Sequence, residues 1–573
     1  MYTDNVKQIF SWVRTNWVLG VSLLGGFLLR FIFLDRFPVS ITGDELVYIF
    51  NTKLFILGSS ALQGWNPFFV FFFRYPPNIF PQAELPYLLS FITGASTSLF
   101  MIRIPYALMS TALIGVMYLL GKELFDKRSG SIIALITAIN PWFIVMGRTS
   151  YEMTPATVCY LAGVLLLLKA KKPVMFVGSF FMFLLGFYSY IGTKVIFAPL
   201  IITVCFFLYK SNKHLKNIYL LFSAGAIGVV MFRFLLLRSQ PMTRVGELFL
   251  PTHPRVAQEV IQIRQATIPF VGESLFINKA TVYLKLLGEK TVAAFSPDIL
   301  FSHGDLFFGL AQGGLFYVLD LIFLLVGIVF LFRNQTKIGT LLVSLFIIGL
   351  LPQVLYKDIS LFTPHITFSL PILLVLTGYG IMSCINSIPY KKLIIGVTIA
   401  GYLYFSSQFI VTYFFQYPAS SQSDFPTKVL SSYITRADDT AITVYSNHRD
   451  DLYKKYLVYG DKLTAKTLSQ VDQALVEKNF QIDTIRFVSC DTKIDSTGVE
   501  GIVITQSECG KIMSQEPFVK IALLQDGGEV FRIYHDSVCS QDHLPYYPAK
   551  KSLRQFDIAN LSNQEFCETF ISK

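Results

Sequence analysis

The sequence has little charge, and this shortage limits what the protein can be. Of its 573 residues only 15% are charged, whereas 53% are hydrophobic and the mean hydropathy is +0.53. This composition excludes an ordinary soluble globular protein. The 54 Phe and 29 Tyr residues suit lipid-facing and interfacial surfaces. Because the apolar runs have the length that a helix needs to cross a bilayer, the chain is predicted to be a helical integral membrane protein.

Acidic residues are fewer than basic ones, 37 against 48, which gives a net charge of +11. This excess does not indicate nucleic-acid binding, because the Lys and Arg residues lie between apolar runs and form no basic domain. They predict topology instead. Applied to these clusters, the positive-inside rule predicts that the N-terminus lies in the cytoplasm. The protein is predicted to reside in the plasma membrane and to have no cleavable signal peptide.

The apolar runs predict eleven membrane-spanning helices. They lie near residues 17–34, 104–121, 131–147, 154–168, 173–190, 195–209, 218–236, 314–332, 338–355, 364–385 and 392–412. The predicted fold class is therefore an α-helical polytopic membrane protein, residues 1–412, with a C-terminal soluble α/β domain, residues 413–573. Eleven crossings place that domain outside the cytoplasm. Two long outward segments, 35–103 and 237–313, have the length of loops that carry function.

Both long segments contain short apolar or amphipathic stretches. "AELPYLLSFI" in the first and "RVAQEVIQIRQATI" in the second are predicted to form helices in the membrane interface. Counting the first stretch as a crossing would place the downstream basic clusters outside, so the charge pattern argues against that alternative.

The C-terminal domain combines short β-type runs with helical stretches. "TAITVYS", "TIRFVSC", "GIVIT" and "EVFRIYH" predict strands, and "DLYKKYLVYG" predicts a helix. Cysteine is scarce, at 7 residues, yet an even number of them lies in this domain, on the predicted oxidising side. These four, Cys490, Cys509, Cys539 and Cys567, allow two disulfides in any of three pairings or four unpaired thiols, and the sequence leaves both alternatives open.

Ionisable residues gather at the predicted outer ends of the spans. Charge at bilayer depth is costly, so such residues indicate a functional site. The set comprises Arg30, Asp44, Glu45, Arg74, Arg103, Arg148, Glu152 and Lys194. Most members also have a structural interpretation: a solvated face or a helix cap for the acidic pair, a snorkelling anchor for Arg103, flanking charges for Arg148 and Lys194, and an ion pair with Asp35 or Glu45 for Arg30.

Together, carboxylates and cations at one outer cavity suit a polyprenyl-phosphate sugar. The lipid tail stays in the bilayer while Arg or Lys neutralises the phosphate and stabilises the charge that grows as the sugar bond breaks. Because phosphate leaves readily, one carboxylate acting as general base on an acceptor hydroxyl is sufficient. A glycoside hydrolase, in contrast, needs a pair of catalytic carboxylates.

The order of these residues resembles the GT-C glycosyltransferases, specifically the prokaryotic branch of the superfamily of protein O-mannosyltransferases and lipid A aminoarabinose transferases. The resemblance covers residues 17 to about 412. It is carried by "LLRFIFLDRFP", "GDELVYIF", "FMIRIPYALMSTALIGVMYLLGKELFDKRSG", "NPWFIVMGRTSYEM", "FYSYIGTK", "FSPDILFSHGDL" and "GGLFYVLDLIFLLVGI".

The resemblance implies inverting transfer of a monosaccharide from a polyprenyl phosphate to an acceptor hydroxyl at the outer face. Asp44 stands at the position of the catalytic Asp, Glu45 follows as the second acid, which orients acceptor or donor, and Arg103 matches the Arg that contacts the lipid phosphate. The rest of the predicted cavity comprises Arg74, Arg148 and Lys194 on the phosphate side, with Glu152, His365 and Arg30 elsewhere.

Two departures from the family pattern are visible. Phe368 stands where many relatives have an Arg, so His365 is predicted to take a polar role or the site is built differently. The soluble domain lacks β-trefoil repeats, which weakens the case for a protein acceptor. The sequence has no metal-binding motif at the outer face, and no cofactor or metal is expected beyond the lipid-linked sugar.

Three rival functions remain for comparison. A transporter or flippase would have charges along the midplane and an inverted repeat, which the spans lack. A ligase or polymerase that moves a glycan from a lipid diphosphate needs similar cations and stays open. A sensor would leave the acidic loop unexplained. The predicted partners are membrane lipids, the lipid-linked donor and a protein, lipid or glycan acceptor, and the sequence encodes neither the sugar nor the acceptor.

Overall fold

A computed structural model describes most of the chain. The described residues are 16–62, 66, 84–94, 96–211, 213–237, 254–305, 313–357, 362–437, 440–491, 501–510, 516–535, 538–540, 544–548 and 552–573. Within them, a helical membrane domain precedes a smaller domain built on one sheet.

Helices occupy all eleven predicted spans, with shorter helices between them. The helices of this domain are α1 (Trp17–Phe31), α2 (Gly43–Leu57), α3 (Glu84–Ile92), α4 (Leu99–Leu124), α5 (Lys127–Ile139), α6 (Pro141–Gly147), α7 (Met153–Leu168), α8 (Pro173–Phe187), α9 (Phe197–Ser211), α10 (Lys216–Leu237), α11 (Arg255–Gln265), α12 (Glu273–Phe276), α13 (Lys279–Ala294), α14 (Pro297–Phe301), α15 (Val318–Asn334), α16 (Thr336–Val354), α17 (Leu370–Ser387) and α18 (Lys391–Val411).

Within the described ranges, 6 helical segments are long and apolar enough to cross a membrane, or 7 if α5 and α6, which form a 60° bend, make one span. Helices α1, α7 and α8 are apolar but shorter. The chain is a multi-pass helical protein, while the number of eleven crossings and the orientation of the termini stay predictions.

The two outward stretches that were predicted to be helical are α3 and α11. With 9 residues, α3 is about 14 Å long at 1.5 Å per residue, too short to cross a hydrocarbon layer of about 30 Å. Their helical structure is confirmed, and their position in the interface stays a prediction.

Close contact between α15 and α17 depends on glycine. A Cβ at Gly327 would collide with the carbonyl oxygen of Leu376, and one at Gly380 with that of Phe323. Small residues let helix backbones approach closely where lipid supplies no hydrophobic driving force between helices. These two glycines therefore fix one helix pair of the membrane domain.

The C-terminal domain is a mixed sheet with helices, as the alternating runs predicted. Its elements are α19 (Phe425–Arg436), β1 (Ile442–Tyr445), α20 (Arg449–Tyr459), α21 (Leu468–Glu477), β2 (Gln481–Ile482), β3 (Ile485–Val488), β4 (Ile502–Gln506), β5 (Val519–Ala522), β6 (Glu529–Tyr534), α22 (Asn563–Phe570) and β7 (Ile571–Ser572). The strand order is β2-β3-β1-β4-β6-β5-β7. Strand β1 pairs in parallel with β3 and β4, and the remaining pairs are antiparallel.

All four cysteines of this domain are paired, which resolves the alternatives that the sequence left open. The disulfides are Cys490–Cys509 and Cys539–Cys567, whereas Cys159, Cys205 and Cys384 of the membrane domain are free thiols. Disulfides favour an oxidising compartment for this domain.

The pairing predicts a thiol count. Of the 7 cysteines, we expect three to react with a maleimide in denatured, unreduced protein, and all of them after reduction. Mass spectrometry of the two samples measures this directly. Seven reactive thiols before reduction would contradict both disulfides.

The segment that follows α1 is bonded to the C-terminal domain at several points. The bonds join Arg36 to Asp557 (2.8 Å), the Ile41 amide to the Tyr459 hydroxyl (2.6 Å), Lys53 to Asp461 (3.0 Å) and Ser60 to Asp472 (2.8 Å). The position of the segment that carries Asp44 and Glu45 is thus set by both domains.

Candidate active site

Helix α2 begins at the acidic pair. Thr42 caps it: the Thr42 hydroxyl accepts a hydrogen bond from the Glu45 amide, and the Glu45 carboxylate accepts one from the Thr42 amide. Asp44 occupies the second helical position, where the helix dipole favours an anion. Because consecutive helical residues point about 100° apart, Asp44 and Glu45 face different surroundings.

Glu45 faces inward and pairs with Arg103. Nε of Arg103 lies 3.1 Å from Oε1 of Glu45, and both side chains are almost fully buried. Oε1 also accepts a hydrogen bond of 2.9 Å from the Ser150 amide. The pair therefore joins the start of α2 to α4 and to the segment after α6.

Arg103 uses its remaining donors on the loop before α2. Besides its two bonds to Glu45, its guanidinium donates to the carbonyl oxygens of Leu34 (3.4 Å), Pro38 (2.8 Å) and Ser40 (2.8 Å). A guanidinium has five N–H groups, so none remains for a phosphate. The predicted contact between Arg103 and a donor phosphate does not fit this arrangement.

Arg148 and Arg30 also bind the chain itself. Arg148 donates to carbonyl oxygens at the end of α1 and beyond it, those of Leu29 (2.8 Å), Ile32 (2.8 Å), Phe33 (3.1 Å) and Phe37 (3.1 Å). Arg30 donates to Ser110 Oγ (2.7 Å), Gly26 O (2.9 Å) and Ala138 O (3.0 Å), not to Asp35 or Glu45. These two arginines bind carbonyl oxygens in and near α1 and at the end of α5, and neither lines the cavity described next.

Asp44 opens into a cavity of about 400 Å³ between the two domains. Its walls come from the segment before α2, the segment after α6 and the start of the C-terminal domain. The lining residues are Pro38, Ser40, Ile41, Thr42, Gly43, Asp44, Val145, Thr149, Tyr151, Phe362, Tyr413, Tyr417, Gln422, Asp424 and Lys455. This volume lies within the range of about 300–1,000 Å³ that is typical of small-molecule sites.

The bend between α5 and α6 positions the part of the cavity wall that α6 supplies. Asn140 caps α6, because its side-chain oxygen accepts a hydrogen bond from the Phe143 amide. Pro141, at the first position of α6, has no N–H with which to extend the hydrogen bonds of α5. Val145 of α6 lines the cavity of Asp44 and also a second cavity of about 370 Å³, which is mainly apolar and includes Trp142, Phe316 and Phe409. A cavity with charged lining residues and a mainly apolar cavity are therefore neighbours.

Glu152 and Asp44 act on the same group of tyrosines, whereas His365 packs against a residue of the cavity wall. Glu152, at the start of α7, and Asp44 are both within electrostatic reach of three buried tyrosines, Tyr48, Tyr87 and Tyr106. The His365 ring packs 4.7 Å from that of Phe362, which lines the cavity. Phe368 packs against Tyr160 in the apolar interior.

Lys194 belongs to a second charged cluster, which sequence reasoning identified only in part. Its Nζ lies 2.9 Å from a Glu84 oxygen, and Arg233 lies 2.7 Å from the other. Glu84 begins α3 and Arg233 lies near the end of α10, where an arginine in an apolar run was the overlooked signal. Two cations around one carboxylate leave one net positive charge.

Two predicted features fall outside these clusters. Arg74 lies outside the described residues, so its predicted role as a phosphate ligand stays a prediction. Across the parts of the chain that the structure describes, no group of three or more His, Cys, Asp or Glu side chains is arranged to hold a metal ion.

Comparison with known proteins identifies the fold. Residues 85–236 match the profile of the family described as dolichyl-phosphate-mannose-protein mannosyltransferase. The crystal structure of ArnT from Cupriavidus metallidurans in the apo state is similar, with 10% sequence identity, 92% of this chain and 98% of that chain covered, and a TM-score of 0.51. The chain therefore has the fold of GT-C glycosyltransferases, as its motifs predicted.

Other solved structures match over most of this chain. ArnT bound to undecaprenyl phosphate matches with 11% identity, 93% and 99% coverage and a TM-score of 0.48. The archaeal oligosaccharyltransferase AglB from Archaeoglobus fulgidus, in complex with an inhibitory peptide and a dolichol-phosphate, matches with 13% identity, 87% and 70% coverage and a TM-score of 0.44. No curated protein matches the chain.

Proposed function

We propose that this membrane protein of the GT-C fold is an inverting glycosyltransferase that moves a monosaccharide from a polyprenyl phosphate to an acceptor hydroxyl. The observation that carries the proposal is the position of Asp44, in a cavity between the domains and beside an apolar cavity. The matched family, described by a dolichyl-phosphate sugar, supports this donor class. The topology from the positive-inside rule puts the reaction at the outer face of the plasma membrane.

Asp44 is the proposed general base. It accepts the proton of the acceptor hydroxyl while that oxygen forms a bond to the anomeric carbon from the side opposite the phosphate. The bond between the anomeric carbon and the phosphate oxygen breaks, and polyprenyl phosphate leaves with the electron pair. Glu45, which is held by Arg103, is a positioning residue: it fixes the turn from which Asp44 projects.

An amphiphilic donor fits this site. The sugar would lie beside Asp44. Apolar surface of the lipid that is removed from water stabilises binding by roughly 25 cal/mol per Å².

The phosphate is assigned to the cluster of Lys194, Arg233 and Glu84. Lys194 Nζ lies near the rings of Phe187 and Tyr188, and its side chain is partly exposed at 21%. The net positive charge of the cluster suits the anionic phosphodiester of the donor better than Arg103, whose donors serve Glu45 and carbonyl groups, or Arg148, which donates to carbonyl groups.

We expect Lys194→Met to weaken the binding of polyprenyl phosphate about tenfold, because the phosphate loses one charge-assisted hydrogen bond. Lys210→Met, at the exposed end of α9, is the matched control and should leave affinity unchanged. Titration of purified protein with undecaprenyl phosphate measures both. Equal affinity of Lys194→Met and the native protein would remove Lys194 from the phosphate site.

The decisive assay incubates purified protein with a panel of polyprenyl-phosphate monosaccharides in buffer with EDTA and measures the release of polyprenyl phosphate. Release from one donor names the sugar, and release in EDTA agrees with the expectation that no divalent ion is needed. Turnover of a lipid-diphosphate glycan instead would identify the ligase or polymerase. No turnover of any donor would contradict the proposal.

A further inference from the structure

The C-terminal domain enters the cavity of Asp44 through helix α20. Lys455 and Tyr459 are four residues apart and thus lie on one face of this helix. The Tyr459 hydroxyl accepts a hydrogen bond from the Ile41 amide, three residues before Asp44, and Lys455 lines the cavity itself. One helix face therefore both holds the segment that carries Asp44 and adds a cation to its cavity.

Lys455 is held between two carboxylates. Its Nζ lies 2.7 Å from Asp424 Oδ2 and 2.7 Å from Asp451 Oδ2, and its side chain is only 11% exposed. Burial opposes the charged form, but the attraction of Asp424 and Asp451 outweighs it and raises the pKa of Lys455. Lys455 is therefore an ammonium group with a fixed direction at neutral pH.

Asp424 is the second charged residue that the C-terminal domain places in this wall. Its φ of 48° lies in the left-handed region, which Asp adopts more readily than most residues other than glycine. Bonds to Thr427 (2.5 Å) and Lys455 (2.7 Å) hold the side chain in this conformation. The Asp424 carboxylate is therefore held in a fixed position in the cavity wall.

The remaining lining suits a molecule that combines hydroxyl groups with apolar faces. Tyr151, Tyr413, Tyr417 and Phe362 contribute aromatic rings. Oε1 of Gln422 is buried and accepts no hydrogen bond from any described residue. Carboxylates and amide oxygens accept hydrogen bonds from hydroxyls, ammonium groups donate to them, and ring faces pack against C–H groups.

We propose that Asp424 and Lys455 bind hydroxyl groups of the sugar carried by the donor, so that the C-terminal domain forms part of the sugar-binding site. The inference rests on the proposed function and adds the substrate contact. A single monosaccharide suits a cavity of about 400 Å³, whereas a macromolecular acceptor requires an open surface.

Binding of two lipids tests this proposal. The probes are undecaprenyl phosphate without sugar and the undecaprenyl-phosphate monosaccharide that the native protein consumes in the panel assay. We expect Lys455→Met to weaken the binding of the sugar-bearing lipid about tenfold, because the substitution removes one charged hydrogen bond to the sugar. The affinity for the sugar-free lipid should stay unchanged. Asp424→Asn should act in the same direction.

Lys454→Met is the matched control. Lys454 is the neighbouring residue on α20, it pairs with Asp450 at 2.8 Å, and it does not line the cavity. We expect it to change neither affinity. If Lys455→Met does not fold, Lys455→Arg is the second variant, because it keeps the charge and displaces the donor atoms. We expect it too to lose affinity for the sugar-bearing lipid and to keep its affinity for the sugar-free lipid.

Three results for Lys455→Met would overturn the proposal. If both lipids bound equally more weakly, Lys455 would be a structural residue. The other two results are an unchanged affinity for both lipids, and an unchanged donor affinity together with a raised KM for the acceptor. A native protein that consumes no donor in the panel contradicts the glycosyltransferase assignment itself. If the native protein is active and Lys455→Met changes the affinity for both lipids equally, only the proposed sugar-binding role of Lys455 is contradicted.

Discussion

Asp44→Asn will lower kcat by about 10²- to 10⁴-fold, the range typical of a lost general base, while the protein still folds and binds donor. Asparagine preserves the shape of the side chain, so the cavity between the domains keeps its walls. An amide cannot take the proton of an acceptor hydroxyl. Turnover under donor saturation, together with titration of the donor, separates the chemical step from binding.

Asp450→Asn is the matched control for this experiment. Asp450 occupies the second position of α20, as Asp44 does in α2, so both substitutions remove a negative charge near a helix N-terminus. Asp450 is 53% exposed, pairs with Lys454 and lies outside the cavity. Full turnover by Asp44→Asn would remove Asp44 as the base, and equal losses in the two variants would indicate an effect on helix stability.

Arg103→Met will destabilise the fold by about 3–5 kcal/mol, the cost of breaking a buried ion pair from one side. The substitution leaves Glu45 charged and buried, and it also leaves the carbonyl oxygens of Leu34, Pro38 and Ser40 without this donor. The apparent melting temperature of the purified protein in detergent measures the effect.

Lys53→Met is the control, because it breaks a solvent-exposed ion pair. Its partner Asp461 is 69% exposed, and such pairs contribute about 0–1 kcal/mol. We expect little change in melting temperature. If Arg103→Met were as stable as the native protein and yet bound donor more weakly, Arg103 would be the phosphate ligand that the sequence predicted.

The fold was largely predictable, because hydrophobic length and charge placement act locally. The apolar run of residues 392–412 became the helix Lys391–Val411, and the period-two run "EVFRIYH" became strand β6. The disulfide pairing was not predictable, since it depends on how strands bring distant cysteines together. The crossing number depends on helices such as α1 and α7 that are apolar but short.

The candidate site was predictable as a region but not as a set of contacts. The order of motifs in the sequence predicted that Asp44, Glu45 and Arg103 lie near one another, and the structure places them so. It did not predict the direction in which each side chain points. A helical rotation of about 100° sends Glu45 to Arg103 and Asp44 to the cavity. The pair of Lys455 and Asp424, 31 residues apart, had no sequence signal because its approach depends on how the segment before α19 packs against α20 within the C-terminal domain.

The bonds between the segment after α1 and the C-terminal domain also impose an order on biosynthesis. Asp557 follows its partner Arg36 by 521 residues, and Lys455 of the cavity wall follows the last membrane helix, so the ribosome completes the membrane helices before it completes the cavity and the bonds that hold this segment. Nascent molecules that have already inserted are thus expected to be inert toward lipid-linked sugars. A chain cut short after the final membrane helix would insert into the bilayer yet never acquire turnover.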